Sequence, residues 1–189
     1  MNSMDYVASA EERGDIKGGE RLVFVGPVAF REDCLRRVLR VATAYAKPPN
    51  EKESCFILLG NIEEVEKVPV YVVEDYAQLQ GAATSQHMTF DVEDVKKIAA
   101  EAERDGLTIV GIIHTHPRGE AEASTLDKAA WLTLQQEMSK SIPFLIYSIS
   151  HNEIGIVYAE QSFINQLNSI LSPKKIKLTK KTHQLEKHT

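Results

Sequence analysis

Along this chain, short apolar runs rich in β-branched residues alternate with stretches whose apolar positions recur every three or four residues. That change of period predicts strands interleaved with helices. Arg21–Val25 is one such run, closed by Gly26-Pro27. From Arg31 to Ala46, the residues Cys34, Leu35, Val38, Leu39, Val41 and Ala42 share one helical face, and Lys47-Pro48-Pro49-Asn50 stops the helix. Ser54–Leu59 predicts a strand ending at Gly60, and Val68–Val73 another. The polar stretch from Tyr76 to Met88 interrupts this scaffold as a loop or a small hairpin. Asp91 is an N-cap for a helix to about Arg104, with Glu93 and Asp94 placed at the positive end of its dipole, and Asp105-Gly106 ends it. Leu107–Ile113 is too short and too β-branched for a helix and reads as a buried strand. A helix over Thr125–Met138 is expected to turn Leu126, Ala129, Ala130, Leu134 and Met138 inward. Phe144–Ile149 and Ile154–Tyr158 read as paired strands, and Gln161–Leu171 as a last helix broken at Ser172-Pro173. The alternation suggests an α/β sandwich, its sheet covered on both faces.

Composition narrows the picture. The 189 residues, 43% hydrophobic, suffice for one packed domain, and a net charge of -5 gives no electrostatic footprint for nucleic acid. We expect a leader over 1–19, a domain over 20–171 and a Lys-rich solvated tail over 172–189. Cys34 and Cys55 make no disulfide framework. No apolar stretch has the length of a membrane span, and the polar N-terminal twenty residues do not resemble a secretory signal, so the expected location is the cytoplasm.

The candidate chemistry lies in Gly111-Ile112-Ile113-His114-Thr115-His116-Pro117, followed by Ser124 and Asp127. Two imidazoles and a carboxylate are three ligands that a catalytic zinc ion accepts, with a fourth position left for water. On a strand, His114 and His116 emerge on the same side, at the end where α/β sheets commonly bind ligands. Ser124-Thr125-Leu126-Asp127 taken alone is close to a capping box, and that structural reading is compatible with a ligand at Asp127. A zinc hydrolase also needs a proton carrier. Glu53, at the mouth of the Ser54–Leu59 strand, is the candidate; by position alone it is also an ordinary solvated acid between Lys52 and Ser54.

His-Thr-His-Pro, then Ser and Asp at these intervals, with Glu53-Ser54-Cys55 and Leu58-Leu59-Gly60 upstream, resembles the JAMM metalloprotease signature. Its bearers are the catalytically competent MPN domains, which include the deubiquitinating subunit of the proteasome lid and short stand-alone prokaryotic proteases. The resemblance runs from about Arg21 to Leu171. It implies a JAB1/MPN-like α/β sandwich with a central mixed sheet and helices on both faces. It implies one Zn2+ per chain on His114, His116 and Asp127, Glu53 as general acid/base, and Ser124 as hydrogen-bond donor to the oxyanion. The chain departs from the pattern at Phe56, where many relatives carry glycine.

By the same resemblance, the expected activity is that of a zinc-dependent isopeptidase or peptidase. It would cut after the C-terminal Gly-Gly of ubiquitin or a ubiquitin-like modifier, through zinc-activated water. The segment holding Gln78, Gly81, Thr84, Ser85, His87 and Met88 corresponds to the one relatives use to grip the extended tail by strand addition. Two other functions fit the residues: a non-catalytic MPN scaffold subunit, and a zinc hydrolase of a small amide or cysteine adduct. A proteasome-like assembly and a homodimer through the Arg31–Ala46 helix are partner expectations; nucleic acid and membrane are not. His87, His151, His183 and His188 lack a companion at ligand spacing. Cys55 is expected as a buried thiol, and Trp131 as packing at the site's edge.

Overall fold

The computed structural model describes residues 6–8, 21–48, 51–65, 67–83, 88–157 and 176–180. Among the described residues, eleven strands and three helices follow one another as β1 (Tyr6–Ala8), β2 (Leu22–Val25), β3 (Val28–Arg31), α1 (Glu32–Tyr45), β4 (Cys55–Val65), β5 (Val68–Gln78), β6 (Gly81–Ala83), β7 (Met88–Phe90), α2 (Val92–Arg104), β8 (Thr108–His116), α3 (Thr125–Met138), β9 (Phe144–Ser148), β10 (Glu153–Val157) and β11 (Ile176–Lys180). Nine strands form one sheet in the order β1-β11-β10-β9-β8-β4-β5-β3-β2, while β6 and β7 pair separately. Pairing is parallel between β3 and β5 and between β8 and β9, and antiparallel elsewhere, so the sheet is mixed.

Both faces of the sheet are covered, which explains why the Cys55–Leu59 stretch of β4 is apolar and buried at every position. Residues alternate faces along β4. Phe56 and Leu58 join Cys34, Leu35, Val38 and Leu39 of α1 in one core. Cys55 and Ile57 join Val95 of α2 and Trp131 and Leu134 of α3 in the other. Phe56 therefore sends its ring to the α1 side, where it meets Tyr76 edge-on with centroids 5.7 Å apart. The bulky residue at this position is accommodated on the face away from Cys55.

Several elements differ from the sequence reading. β4 does not end at Gly60 but runs to Val65, and β5 runs to Gln78. Gly60 sits at a register shift, where a Cβ would come within 1.8 Å of the Val72 carbonyl oxygen. A close backbone approach, and not a stop, is what requires glycine there. β3 follows the Gly26-Pro27 turn, a second strand of a hairpin of which only the first was expected. On α3, Leu126 is 62% exposed and Ala129 and Ala130 are also exposed, contrary to the inward face expected for them; Trp131 and Leu134 are the buried pair. Apolar residues surround this helix, so periodicity alone could not choose its inner face. β1 and β11, from stretches read as leader and tail, pair antiparallel with each other. The expected helix over Gln161–Leu171 lies outside the described residues. Among the described residues, no helix is long and apolar enough to cross a membrane.

Candidate metal centre

The two histidines close β8, and the parity of the strand decides where they point. His114 shares the face of Ile112 and Phe144, beneath α3, and stacks on the Phe144 ring at 6.5 Å. Antiparallel pairing sets Cys55 opposite His114, which brings Glu53, two residues before Cys55, to the mouth of the site. The helix α3 starts at the same end. Ser124 caps it, its hydroxyl accepting from the Asp127 amide at 3.2 Å while the Asp127 carboxylate accepts from the Ser124 amide at 2.7 Å. The capping box anticipated at Ser124–Asp127 is thus present, and it fixes the Asp127 carboxylate at the first turn of the helix.

Four side chains converge. Glu53, His114 and His116 each bring one ligand atom within 4.8 Å of the others. Glu53 Oε2 lies 3.2 Å from His114 Nε2, and Asp127 spans both rings, with Oδ1 3.4 Å from His114 Nε2 and Oδ2 3.4 Å from His116 Nε2. Glu53 and His114 are both buried, at 6% exposure each. The buried His114 Nε2 nevertheless makes no hydrogen bond to either carboxylate. A buried polar atom without a partner is costly, and one flanked by two carboxylates is a place for a cation.

His116 gives the same indication. Its Nδ1 lies 3.1 Å from the Glu120 carbonyl oxygen, which can only accept, so the ring proton sits on Nδ1. In the neutral ring, Nε2 then presents a lone pair to the Asp127 carboxylate. Two lone-pair donors facing at 3.4 Å require a proton or a metal ion between them. Ligands around a tetrahedral ion with bonds of roughly 2.0–2.1 Å stand about 3.3 Å apart, close to these spacings. The residues present therefore fit a divalent metal ion with imidazole and carboxylate ligands. Protonation behaviour follows the same geometry. Burial alone would raise the Asp127 carboxyl, but hydrogen bonds from His116 and Ser124 and the nearby His114 hold it well below the usual carboxylate range. Burial disfavours charge on His116, yet Asp127, the Glu120 carbonyl and Glu53 together raise its pKa above 6.5.

Around this group, the sites expected from sequence divide. Cys55 is buried behind Glu53, its thiol pushed up to about 12 by burial and then by Asp127. Trp131 donates from Nε1 to the Ile142 carbonyl at 3.1 Å and stacks on Phe144. With Cys55, Ile112, His114, Asp127 and Phe144 it lines a cavity of about 30 Å3, room for a water molecule or two. Gln78 pairs with Phe56 at the end of β5, so the β6–β7 hairpin leaves the sheet beside the site. Gly81 opens β6 and Met88 opens β7; Thr84, Ser85 and His87 lie outside the described residues. Sequence reasoning missed two supports. Thr115, between the histidines, locks the strand mouths by accepting from the Ser54 amide at 2.8 Å and lying 2.9 Å from Ser54 Oγ. Arg118 pairs with Glu51, joining the loop after His116 to the segment before Glu53.

A family model described as prokaryotic homologs of the JAB domain matches residues 35–159. A solution structure of a protein from Desulfitobacterium hafniense is 19% identical, with a TM-score of 0.52 over 69% of this chain and 84% of that one. A solution structure of a protein from Salinibacter ruber is 20% identical, covering 71% of this chain and 83% of that one with a TM-score of 0.47. A crystal structure of a JAB1/MPN domain protein from Archaeoglobus fulgidus is 15% identical, covering 66% of this chain and 83% of that one with a TM-score of 0.39. No curated protein matches the chain.

Proposed function

The chain belongs to the prokaryotic JAB-domain homologues of the JAMM/MPN family, and from that premise we propose that it is a zinc-dependent isopeptidase or peptidase cutting after the Gly-Gly end of a ubiquitin-like modifier. One observation carries the reading: a buried imidazole nitrogen, His114 Nε2, stands unpartnered between the Glu53 and Asp127 carboxylates. His114, His116 and Asp127 would hold the zinc ion, whose Lewis acidity would lower the pKa of water toward neutrality.

The remaining chemistry belongs to the chain. Glu53 takes a proton from the attacking water and returns it to the leaving amine, acting first as base and then as acid. Its position beside His114, without a hydrogen bond to it, leaves the carboxylate lone pairs available for that proton. Ser124 accepts the Asp127 amide through its oxygen, so its hydroxyl proton remains available to the carbonyl oxygen under attack. The β6–β7 hairpin offers strand pairing to an extended tail.

The test is a modifier fused through Gly-Gly to a reporter and incubated with zinc-loaded protein. Cleavage after the second glycine, abolished by a chelator and restored by added zinc, is the expected result. No cleavage by fully zinc-loaded protein, or cleavage indifferent to the chelator, overturns the proposal.

A further inference from the structure

The loop between His116 and Ser124 has no regular structure, yet it is held at several points by the hairpin of β9 and β10. The Gly119 carbonyl receives the Ser148 hydroxyl and His151 Nδ1, the latter at 2.8 Å. A carbonyl offers only lone pairs, so His151 carries its proton on Nδ1. Ser148 Oγ in turn accepts the His151 amide at 3.3 Å, which aligns both donors on the same acceptor. Ser148 is fully buried. Gly119 has φ +111, a conformation that favours glycine and turns this carbonyl toward the hairpin. Two residues on, the Ala121 carbonyl packs so closely on Gly155 that a Cβ there would come within 1.9 Å of it. Between these fixed points lies Glu120, whose carbonyl receives His116 Nδ1.

We infer that His151 is a positioning residue of the metal centre: by holding Gly119, it sets the Glu120 carbonyl that keeps the His116 proton on Nδ1 and the lone pair of Nε2 toward the metal. The inference rests on the zinc reading of this site for its effect on affinity, but not for its effect on the His116 ring. His151 does not contact the metal ligands in this chain of contacts and acts through the loop, chiefly by its bond to the Gly119 carbonyl. Its Nε2 stands 3.8 Å from the Glu120 carboxylate, a second link to the same residue. An outer-shell partner that orients a ligating histidine typically matters about 10- to 100-fold in metal affinity.

The experiment compares the full-length protein with His151→Ala and His151→Asn, whose amide N–H can still reach the Gly119 carbonyl. Nitrogen NMR of the imidazoles in metal-free protein, at a pH where the rings are neutral, reads the His116 tautomer. Competition with a chromophoric chelator reads zinc affinity. The wild type is expected to show His116 protonated on Nδ1 and the Ala variant a mixture of tautomers. Zinc affinity should fall at least about tenfold in the Ala variant and recover most of that in the Asn variant. A merely structural role would lower stability without moving the tautomer or being rescued by Asn. Unchanged tautomer and affinity in the Ala variant overturn the inference. Failure of the wild type to take up zinc at all overturns the zinc reading instead, and the tautomer result still decides the His151 role.

Discussion

At the scale of single residues, the site poses a question of roles between two acids. Glu53 and Asp127 both approach His114 Nε2, at 3.2 and 3.4 Å, so distance does not separate ligand from base. Their supports do. Asp127 is fixed by the helix cap and spans both rings, as a ligand should, whereas Glu53 meets only one of them within ion-pair distance. Glu53→Gln should therefore keep its zinc, measured by metal analysis, while turnover falls by about 10²–10⁴. Loss of zinc in that variant would make Glu53 a ligand and reverse the assignment. The His116 shift gives a second outcome. With its pKa raised above 6.5 by Asp127 and Glu120 against the burial penalty, the metal-free fold gains stability that is fully present below the unfolded value and lost as pH rises through the folded one. Zinc needs the neutral ring, so its affinity falls as pH drops through the same folded pKa, by up to about tenfold per unit. Melting temperatures from about pH 6 to pH 8 should respond to this group in opposite directions: downward without zinc, upward with it. Parallel slopes in the two forms would remove His116 from the metal set.

At the scale of elements, the junction of β4 and β8 is what brings Glu53 to the histidines. The pairing ends in the Ser54–Thr115 clamp, both residues buried. Thr115→Val keeps the shape and removes the hydroxyl, leaving the Ser54 amide and hydroxyl without it, at a cost of about 1–3 kcal/mol. Thr115→Ser keeps the hydroxyl and should recover most of this. Urea unfolding of both variants reads the difference, and equal stabilities would show that the clamp carries nothing. This junction also shows what the sequence could convey. The convergence of His114, His116 and Asp127 was legible because their spacing is local, and the α1 stripe because one face of that helix is uniformly apolar. The ends of β4 and β5 were not, because a glycine after an apolar run reads as a terminator, whereas Gly60 serves a close approach to Val72. The inner face of α3 was not, because Leu126, Ala129 and Ala130 are apolar yet exposed beside the buried Trp131 and Leu134. His151 reads as an isolated histidine until the parallel pairing of β8 with β9 sets Ser148 opposite His116.

At the scale of the whole molecule, the two thiols happen to sample the two cores. Cys34 lies on the inner face of α1, on one side of the sheet, and Cys55 lies under α3 on the other. Burial pushes each thiol up to about 12. So large a rise leaves very little thiolate near pH 8, so alkylation requires the structure to open. A sheet shared by both cores should open as one unit, because neither layer keeps its apolar face covered without it. Trace alkylating agent in mild denaturant should therefore label both cysteines with the same protection free energy. Zinc held at the proposed site would sit beside Cys55 but stabilise the folded state as a whole, so saturating zinc should slow both thiols by the same factor. Selective slowing of Cys55 would instead mean that the β4 mouth opens on its own, and that the metal closes a local door in a sheet that is not one cooperative unit.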